Sequence, residues 1–209
     1  MITTKGLTFK YNQNQNLFRF PDIELSESEN LLVLGKSGVG KTTFLHLLAG
    51  LIKPEVGSIT INQTEINTLS PQKLDTFRGQ QIGLVFQSNH AIRSLTVLEN
   101  LKARLYFSKN PIQVAAIEAL LKDLDLLELK HRNINELSVG QLQRLGIGMA
   151  VIHNPKLILA DEPTSSLDDE NCSAVIELLF KQAQKNKASL IVITHDHRVK
   201  PYFQNSITL

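Results

Sequence analysis

The chain has 209 residues, with 22 Lys or Arg and 20 Asp or Glu, so its formal net charge is +2. A balance this small argues against a protein held to nucleic acid mainly by charge, and the length is ample for one domain with a sizeable core. No apolar run approaches the roughly 20 residues of a membrane-spanning helix, and the first residues lack the apolar segment of a signal peptide. The single cysteine, Cys172, cannot form an internal disulfide. We therefore expect a cytoplasmic globular protein.

Short apolar runs alternate with helical patterns along the chain. Four continuous apolar runs predict strands buried on both faces, as in a parallel sheet, at 31–34, 82–86, 157–160 and 190–193. Helical periodicity is present at 41–49, 97–107, 112–127, 138–152 and 171–185. Strands that alternate with helices predict an α/β fold.

Some segments near the start of the chain depart from this alternation. Residues 2–9, 17–25 and 58–61 have the polar alternation of edge strands, which predicts a small antiparallel layer beside the main sheet. The polar stretch 12–16 between the first two is expected to be a hairpin turn. A last strand is expected at 206–209.

The middle of the chain carries helical patterns without a convincing strand. We predict that residues 88–155 form a helical lobe inserted into a core made of 1–87 and 156–209, all within one domain. Proline suits the first turn of a helix, so Pro111 is expected to begin one. Pro155 should end the lobe just before the buried strand at 157–160.

A glycine-rich segment between the strand at 31–34 and the helix at 41–49 matches the phosphate-binding loop, G-x-x-x-x-G-K-[ST]. Its glycines let successive backbone N–H groups turn toward phosphate oxygens, and the helix N-terminus adds partial positive charge. Lys41 should reach the β- and γ-phosphates, and the Thr42 hydroxyl should ligate Mg²⁺. The expected nucleotide-binding residues are Gly35, Lys36, Ser37, Gly38, Val39, Gly40, Lys41, Thr42 and Thr43, with the Lys36 side chain directed to solvent.

Two adjacent acids, Asp161 and Glu162, end the strand at 157–160. The carboxyl ends of parallel strands border the crevice in which α/β sheets bind ligands. Asp161 is placed to hold Mg²⁺, usually through water, and Glu162 to act as general base for the attacking water. Neighbouring carboxylates repel each other without a cation, so the pair itself points to a metal ion.

Two further polar residues end predicted strands. His195 closely follows the run 190–193 and could contact the γ-phosphate while orienting Glu162 and the water. Gln87 follows the run 82–86, and an amide there could touch Mg²⁺ or the attacking water. Taken alone, each residue would be read more simply as an ordinary surface histidine or a polar strand end.

The segment Leu137-Ser138-Val139-Gly140-Gln141 resembles the signature of ATP-binding cassette (ABC) ATPases. With the phosphate loop, Gln87, the acidic pair and His195, all the motifs of that family occur in order over essentially the whole chain. The resemblance implies a P-loop NTPase fold of the ABC type, with a RecA-like core, an antiparallel layer and an inserted helical lobe. It also implies ATP hydrolysis with Mg²⁺ as cofactor.

The resemblance carries further expectations, residue by residue. Ser138, Gly140 and Gln141 are expected to meet the ATP bound to a second copy in a head-to-tail dimer, although valine stands at Val139 where the family usually has glycine. Ser166 and Asp168 should lie in the loop that links the two ATP sites. Tyr11 resembles the aromatic residue that stacks on adenine, with Phe9 and Phe18 as alternatives.

Residues 95–100 resemble the branch that serves lipoprotein release, macrolide-type export and cell division. This implies integral membrane subunits as partners and a location on the inner face of the cell membrane. The segment 88–94, near which such partners dock, departs from the branch pattern and leaves importers open. The small net charge disfavours a soluble ABC ATPase that acts on DNA or ribosomes, so we expect no nucleic-acid partner. The signature segment and the missing Asn-Lys-x-Asp motif disfavour a P-loop kinase or GTPase.

Overall fold

The computed structural model describes residues 1–11, 17–88, 90–165 and 167–209. The predicted hairpin turn at 12–16 lies outside the described residues. Two sheets organise the chain, one parallel and one antiparallel, and helices pack around them.

The parallel sheet contains the four strands that the apolar runs predict. These are β4 (Asn30–Leu34), β7 (Ile82–Val85), β8 (Leu157–Asp161) and β9 (Ser189–Thr194), and β10 (Asn205–Thr208) joins at the edge in the order β10-β4-β9-β8-β7. Alternate residues of each run enter different cores. Leu31 and Val33 of β4 lie in one hydrophobic cluster, whereas Leu32 and Leu34 lie in the other. Burial on both faces is the reason the strand sequences are apolar without alternation.

The antiparallel sheet is built on β1 (Ile2–Phe9). It pairs with β2 (Phe18–Arg19), β3 (Glu24–Leu25) and β5 (Val56–Ile61), and β6 (Thr64–Glu65) follows β5. The predicted strand at 17–25 is therefore two short strands, because the ladder is interrupted at residues 21–22, between the backbone hydrogen bonds that Phe20 and Ile23 make to β1. The predicted antiparallel layer is confirmed.

Two helices precede the lobe region. Helix α1 (Lys41–Leu48) is nearly as expected and packs into the core with both sheets. Helix α2 (Pro71–Gln81) was missed by the sequence analysis because none of its residues is fully buried and its apolar residues are too few for a helical stripe. Its start carries a local signal, since Ser70 precedes a proline at the first helical position.

The middle of the chain contains α3 (Val97–Phe107), α4 (Val114–Asp123) and α5 (Val139–Val151). Thr96 caps α3 in a reciprocal pair with Glu99, which fixes the start at the predicted residue. The prediction that Pro111 begins a helix is wrong, because α4 begins three residues later. The chain turns after α3 through Lys109, whose φ of +58° is left-handed, and the residues at 111–113 are exposed and non-helical.

Helix α6 (Asp169–Asn186) packs beside α5 and against β9, and a 3-10 helix at His197–Tyr202 follows β9. Within the described ranges, no helix is both long and apolar enough to cross a bilayer.

Candidate functional site

The glycine-rich loop between β4 and α1 has the backbone that its sequence predicts. Gly38 and Gly40 have φ values of +83° and +103°, a region that only glycine enters without strain. A Cβ atom at Gly40 would lie 2.8 Å from the Phe18 ring, so the position lacks room as well. Because Gly40 is the N-cap of α1 and has no side chain, the positive end of this helix is left for an anion.

Lys41 is folded back over this loop. Its ammonium donates to the carbonyl oxygens of Gly35 (2.8 Å) and Lys36 (2.9 Å) and lies 3.4 Å from Glu162 Oε1. The Lys41 side chain is only 7% exposed, so its charge is held at the floor of the site. The Lys36 side chain is exposed, as predicted, and only its carbonyl takes part.

A cavity of about 400 Å³ lies over the loop, a volume suited to a small-molecule ligand. It brings together residues that are far apart in sequence, namely Tyr11, Phe18, Ser37, Gly38, Gly40, Lys41, Thr42, Thr43, Gln87, Glu162 and His195. Most of the residues that are expected to act on the ATP bound by their own copy of the chain therefore meet in one place.

Asp161 directly precedes the cavity-lining Glu162, does not itself line the cavity and is only 6% exposed. Burial raises the pKa of its carboxyl, and the neighbouring Glu162 charge adds to this, although a hydrogen bond from Thr42 opposes it. Within the described part of the chain, Asp161 Oδ1 is buried and has no hydrogen-bond partner. A buried, unsatisfied carboxylate oxygen beside a threonine hydroxyl fits a hard cation such as Mg²⁺.

Glu162 has a different environment from its neighbour. Its φ of +48° is left-handed and turns the side chain toward β9, where Thr194 Oγ1 donates to Oε2 (2.7 Å) and His195 Nδ1 lies 2.9 Å from Oε1. Burial alone would raise the pKa of Glu162, but the hydrogen bonds from His195 and Thr194 outweigh it and lower the pKa. Glu162 is therefore ionised near neutral pH and able to accept a proton. The expected contact between His195 and Glu162 is present.

Gln87 and Tyr11 both line the cavity. Gln87 is exposed, and its amide donates to Ser165 Oγ over 3.3 Å. The Tyr11 hydroxyl lies 2.8 Å from Thr43 Oγ1, and the Tyr11 ring meets Phe9 edge to face at a centroid distance of 4.9 Å. Of the three aromatic candidates for stacking on a base, Tyr11 and Phe18 line the cavity and Phe9 does not.

The signature residues lie away from the cavity. Ser138 caps α5, with its hydroxyl accepting from Gln141 N (3.3 Å) and the Gln141 side chain accepting from Ser138 N (2.9 Å). Val139 is 67% exposed, and a Cβ atom at Gly140 would meet nothing within 4 Å. These residues form an exposed helix start that a single copy does not bring to its own phosphate loop.

Asp168 likewise lies outside the cavity lining and caps α6, accepting from Asn171 N over 2.8 Å. This hydrogen bond and that from the Asn171 side chain lower the pKa of Asp168. The predicted loop residue Ser166 lies outside the described residues.

Sequence reasoning missed Thr194, whose hydroxyl holds Glu162 in place. Its position directly before His195, at the carboxyl end of a predicted strand, was the signal that could have found it. A second residue without a sequence signal is Arg198, which joins Asp196 to Asp169. An arginine in an exposed turn has no sequence pattern that predicts such a role.

Comparisons with known proteins agree on one family. A family model described as ABC transporter matches residues 20–165. The ABC transporter ATP-binding protein YvcR of Bacillus subtilis is 36% identical over 205 residues, which cover 94% of this chain and 78% of that protein. The lipoprotein-releasing system ATP-binding protein LolD of Treponema denticola is 34% identical, covering 95% and 90% respectively.

Solved structures give the same result. The dimeric bacterial ABC transporter cassette MJ0796 superposes with a TM-score of 0.89 at 31% identity, covering 100% of this chain and 94% of that one. A second structure of MJ0796, in a post-hydrolysis state with ADP and Pi, matches equally well.

Proposed function

Because this chain belongs to the ABC transporter family and is an ATP-binding subunit with ATPase activity, we propose that it powers a membrane complex of the lipoprotein-release or export type. The ATPase reaction in this proposal is supported by the placement of Lys41, Glu162 and His195 around one 400 Å³ cavity above the phosphate loop. The type of complex is supported by the 34% identity to LolD. The α/β cassette fold predicted from sequence is confirmed by the likeness to the MJ0796 structures.

The proposed reaction uses groups already in position. Lys41 exchanges its loop carbonyls for the β- and γ-phosphate oxygens of ATP, because an anion outcompetes neutral carbonyls for an ammonium. Glu162 accepts the proton of the attacking water, and His195 orients both Glu162 and the γ-phosphate. Tyr11, with Phe18 as the alternative, stacks on adenine.

Mg²⁺ would be held by Asp161, the Thr42 hydroxyl and the Gln87 amide oxygen. Among the described residues, no three His, Cys, Asp or Glu side chains lie close enough to hold a metal by themselves. The ion would therefore take its other ligands from phosphate oxygens and water, as Mg²⁺ commonly does. Its chemistry there is neutralisation of charge on the phosphates.

We further propose that two copies close head to tail around ATP, with Ser138 and Gly140 of one copy meeting the γ-phosphate held by the other. The exposed start of α5 supports this, because its cap and helix dipole favour an anion that the single chain does not supply. MJ0796, a similar cassette, is dimeric.

The proposal is tested by Glu162→Gln, which removes the base but keeps the shape. We expect hydrolysis to fall by at least about 100-fold, the lower range for loss of a general base, and the protein to elute as an ATP-bound dimer. Hydrolysis at the parent rate would refute the role of Glu162.

The dimer face is tested by adding Gly140→Arg to Glu162→Gln. The free space at Gly140 lets the monomer accept a side chain, whereas a closed dimer would not. ATP should still bind, but the elution volume should become that of a monomer. Ala115→Arg, on an exposed part of α4, is the matched control and should leave the dimer intact. A dimer that survives Gly140→Arg would place the interface elsewhere.

For the membrane partner, we propose docking in a groove of about 390 Å³ between α2, β7, the segment after it, α3 and α5. Asp75 of α2 also lines the groove and is paired with Arg78. Phe86, His90, Phe107 and Met149 line it, and the guanidinium of Arg104 is half-buried beside them. No described carboxylate pairs with Arg104, and burial lowers its pKa. A partner helix with an apolar face and one acidic side chain would match both features.

A further inference from the structure

Two loops carry Glu162 and His195, which the proposed function places at the γ-phosphate, and Asp168, which the family resemblance places between the two ATP sites of a dimer. The loop after β8 bears Glu162 and Asp168, and the loop after β9 bears His195. Arg198, in the 3-10 helix that follows His195, bonds to both loops.

The guanidinium of Arg198 uses all three of its nitrogens. Nε donates to both carboxylate oxygens of Asp196 (2.9 and 3.1 Å), and Nη2 donates to Asp196 Oδ2 (2.8 Å). Nη2 also donates to the carbonyl of Leu167 (3.2 Å), and Nη1 donates to Asp169 Oδ1 (2.6 Å). The two residues flanking Asp168 are thus tied to the turn that follows His195.

The same network continues inward to the reacting group. Asp196 Oδ2 accepts from Thr164 Oγ1 (2.9 Å), and Asp196 N donates to Thr194 Oγ1 (3.0 Å). Thr194 Oγ1 in turn donates to Glu162 Oε2 (2.7 Å). An unbroken path of hydrogen bonds therefore runs from Asp169 at the surface to Glu162.

The exposed side chains of this network contribute little to the stability of the fold, although they fix the positions of the two loops. The Asp169 side chain is 90% exposed and that of Arg198 is 40% exposed, so their ion pair contributes little to folding. Asp196 is 10% exposed, and its hydrogen bonds from Arg198 hold the pKa of its carboxyl well below the usual range. The pair is therefore ionised near neutral pH, and its planar fork fixes direction as well as distance.

We propose that Arg198 is a positioning residue that holds the His195 loop in fixed register with the Asp168 loop. The γ-phosphate end of the ATP cavity and the segment expected to face a second copy would then move together. Arg198 does not line the cavity, so it acts through Asp196 and Asp169 and not on ATP. This inference rests on the proposed roles of His195 and Asp168.

The first test compares Arg198→Met with Lys200→Met. Lys200 is an exposed cation in the same 3-10 helix, and its side chain makes no hydrogen bond or ion pair with the described residues. Misplacement of reacting groups lowers turnover, so Arg198→Met should lower kcat by about 10- to 100-fold, with KM for ATP changed less than about twofold. Lys200→Met should leave both unchanged. Arg198→Lys should recover part of kcat, because an ammonium can pair with Asp196 but cannot form the fork.

An unchanged kcat in Arg198→Met, or an equal loss in Lys200→Met, would overturn the inference. Asp169→Asn covers the case in which Arg198→Met does not fold, because Asp169 is at the surface. The change weakens its bond across the loops and otherwise removes one of two acidic charges in the first turn of α6, which has only a small effect on the stability of the helix. It should also lower kcat, and less than additively with Arg198→Met. Parent-like turnover in Asp169→Asn would likewise count against positioning.

Failure of this inference and failure of the proposed function are distinguishable. In a His195→Ala background the effect of Arg198→Met should largely disappear, because the loop it holds no longer carries the group that matters. An Arg198→Met effect of undiminished size there overturns the inference alone. Parent-rate hydrolysis by Glu162→Gln instead refutes the reaction centre, whatever Arg198 does.

Discussion

At the carboxyl end of β8, two adjacent carboxylates have opposite pKa shifts. Asp161 is buried with one oxygen unsatisfied, which raises its pKa, whereas Glu162 is turned toward donors on β9, which lower its pKa despite burial. The different roles assigned to the pair from sequence thus have a physical basis in their surroundings. The left-handed backbone at Glu162 separates the two side chains, and nothing in the residue types indicates it.

At the same scale, His153 gives a prediction about pH. Its Nε2 lies 3.1 Å from both the Arg104 guanidinium and the Ile82 carbonyl oxygen, in a buried position. Burial first, and the charge of Arg104 second, lower the pKa of His153 from 6.5 to about 3. Between these two pKa values the unfolded chain binds a proton at His153 that the folded chain does not bind. Folding is therefore less favourable as pH falls below about 6.5.

The expected slope approaches about 1.4 kcal/mol of unfolding free energy per pH unit between about pH 6 and pH 4. His153→Gln should remove this part of the acid sensitivity. The measurement is urea unfolding at several pH values, with His131→Gln at an exposed site as the control. Parallel stability curves for the parent and His153→Gln would contradict the assignment.

At the scale of elements, β7 and α5 pack so closely that one glycine decides the contact. A Cβ atom at Gly83 would collide with the Ala150 carbonyl oxygen and lie 3.1 Å from Pro155 Cγ. Because the collision is with backbone, Gly83→Ala should lower the unfolding free energy by about 3 kcal/mol, the upper range for overpacking. Denaturant melts measure this.

Gly79→Ala is the matched control for Gly83→Ala. Gly79 lies inside α2, and the nearest atom to its Cβ position would be 3.9 Å away. Alanine is better than glycine in a helix interior, so this change should raise stability by up to about 1 kcal/mol. A similar loss in both variants would show that close packing of β7 on α5 is not the cause.

The elements also show which sequence signals can be trusted. Runs buried on both faces were found because burial dictates composition, and α3 was found because its apolar residues repeat with helical spacing. Helix α2 was missed because it lies on the surface, where burial imposes no pattern. Pro111 does not begin a helix, because proline suits a turn as well as a helix start.

For the whole molecule, the proposed docking groove can be tested with two adjacent aromatics. Phe107 and Tyr106 are 71% and 70% exposed and touch each other, but only Phe107 lines the groove. The chain is co-expressed with integral membrane subunits encoded beside its gene, and the complex is solubilised in detergent. Phe107→Ser should lower recovery of this complex by about 10-fold, as expected for loss of an aromatic side chain from an interface. Tyr106→Ser should not.

Both variants are expected to fold, because the two side chains are at the surface. ATP affinity of the isolated chain serves as the check and should equal that of the parent. Equal recovery of the complex with Phe107→Ser and Tyr106→Ser would exclude the groove as the docking face.

The sequence by itself determined the family, the phosphate loop and the positions of the candidate catalytic residues, because short motifs encode local backbone geometry and strand ends. It also placed Ser138 and Gly140 in a signature, which the family resemblance assigns to a partner copy. Only the tertiary structure decided which side chains meet, among them Thr194 with Glu162 and Arg198 with Asp169. Such contacts join residues about 30 positions apart through loop conformations, and these depend on packing of the whole sheet instead of on any local pattern.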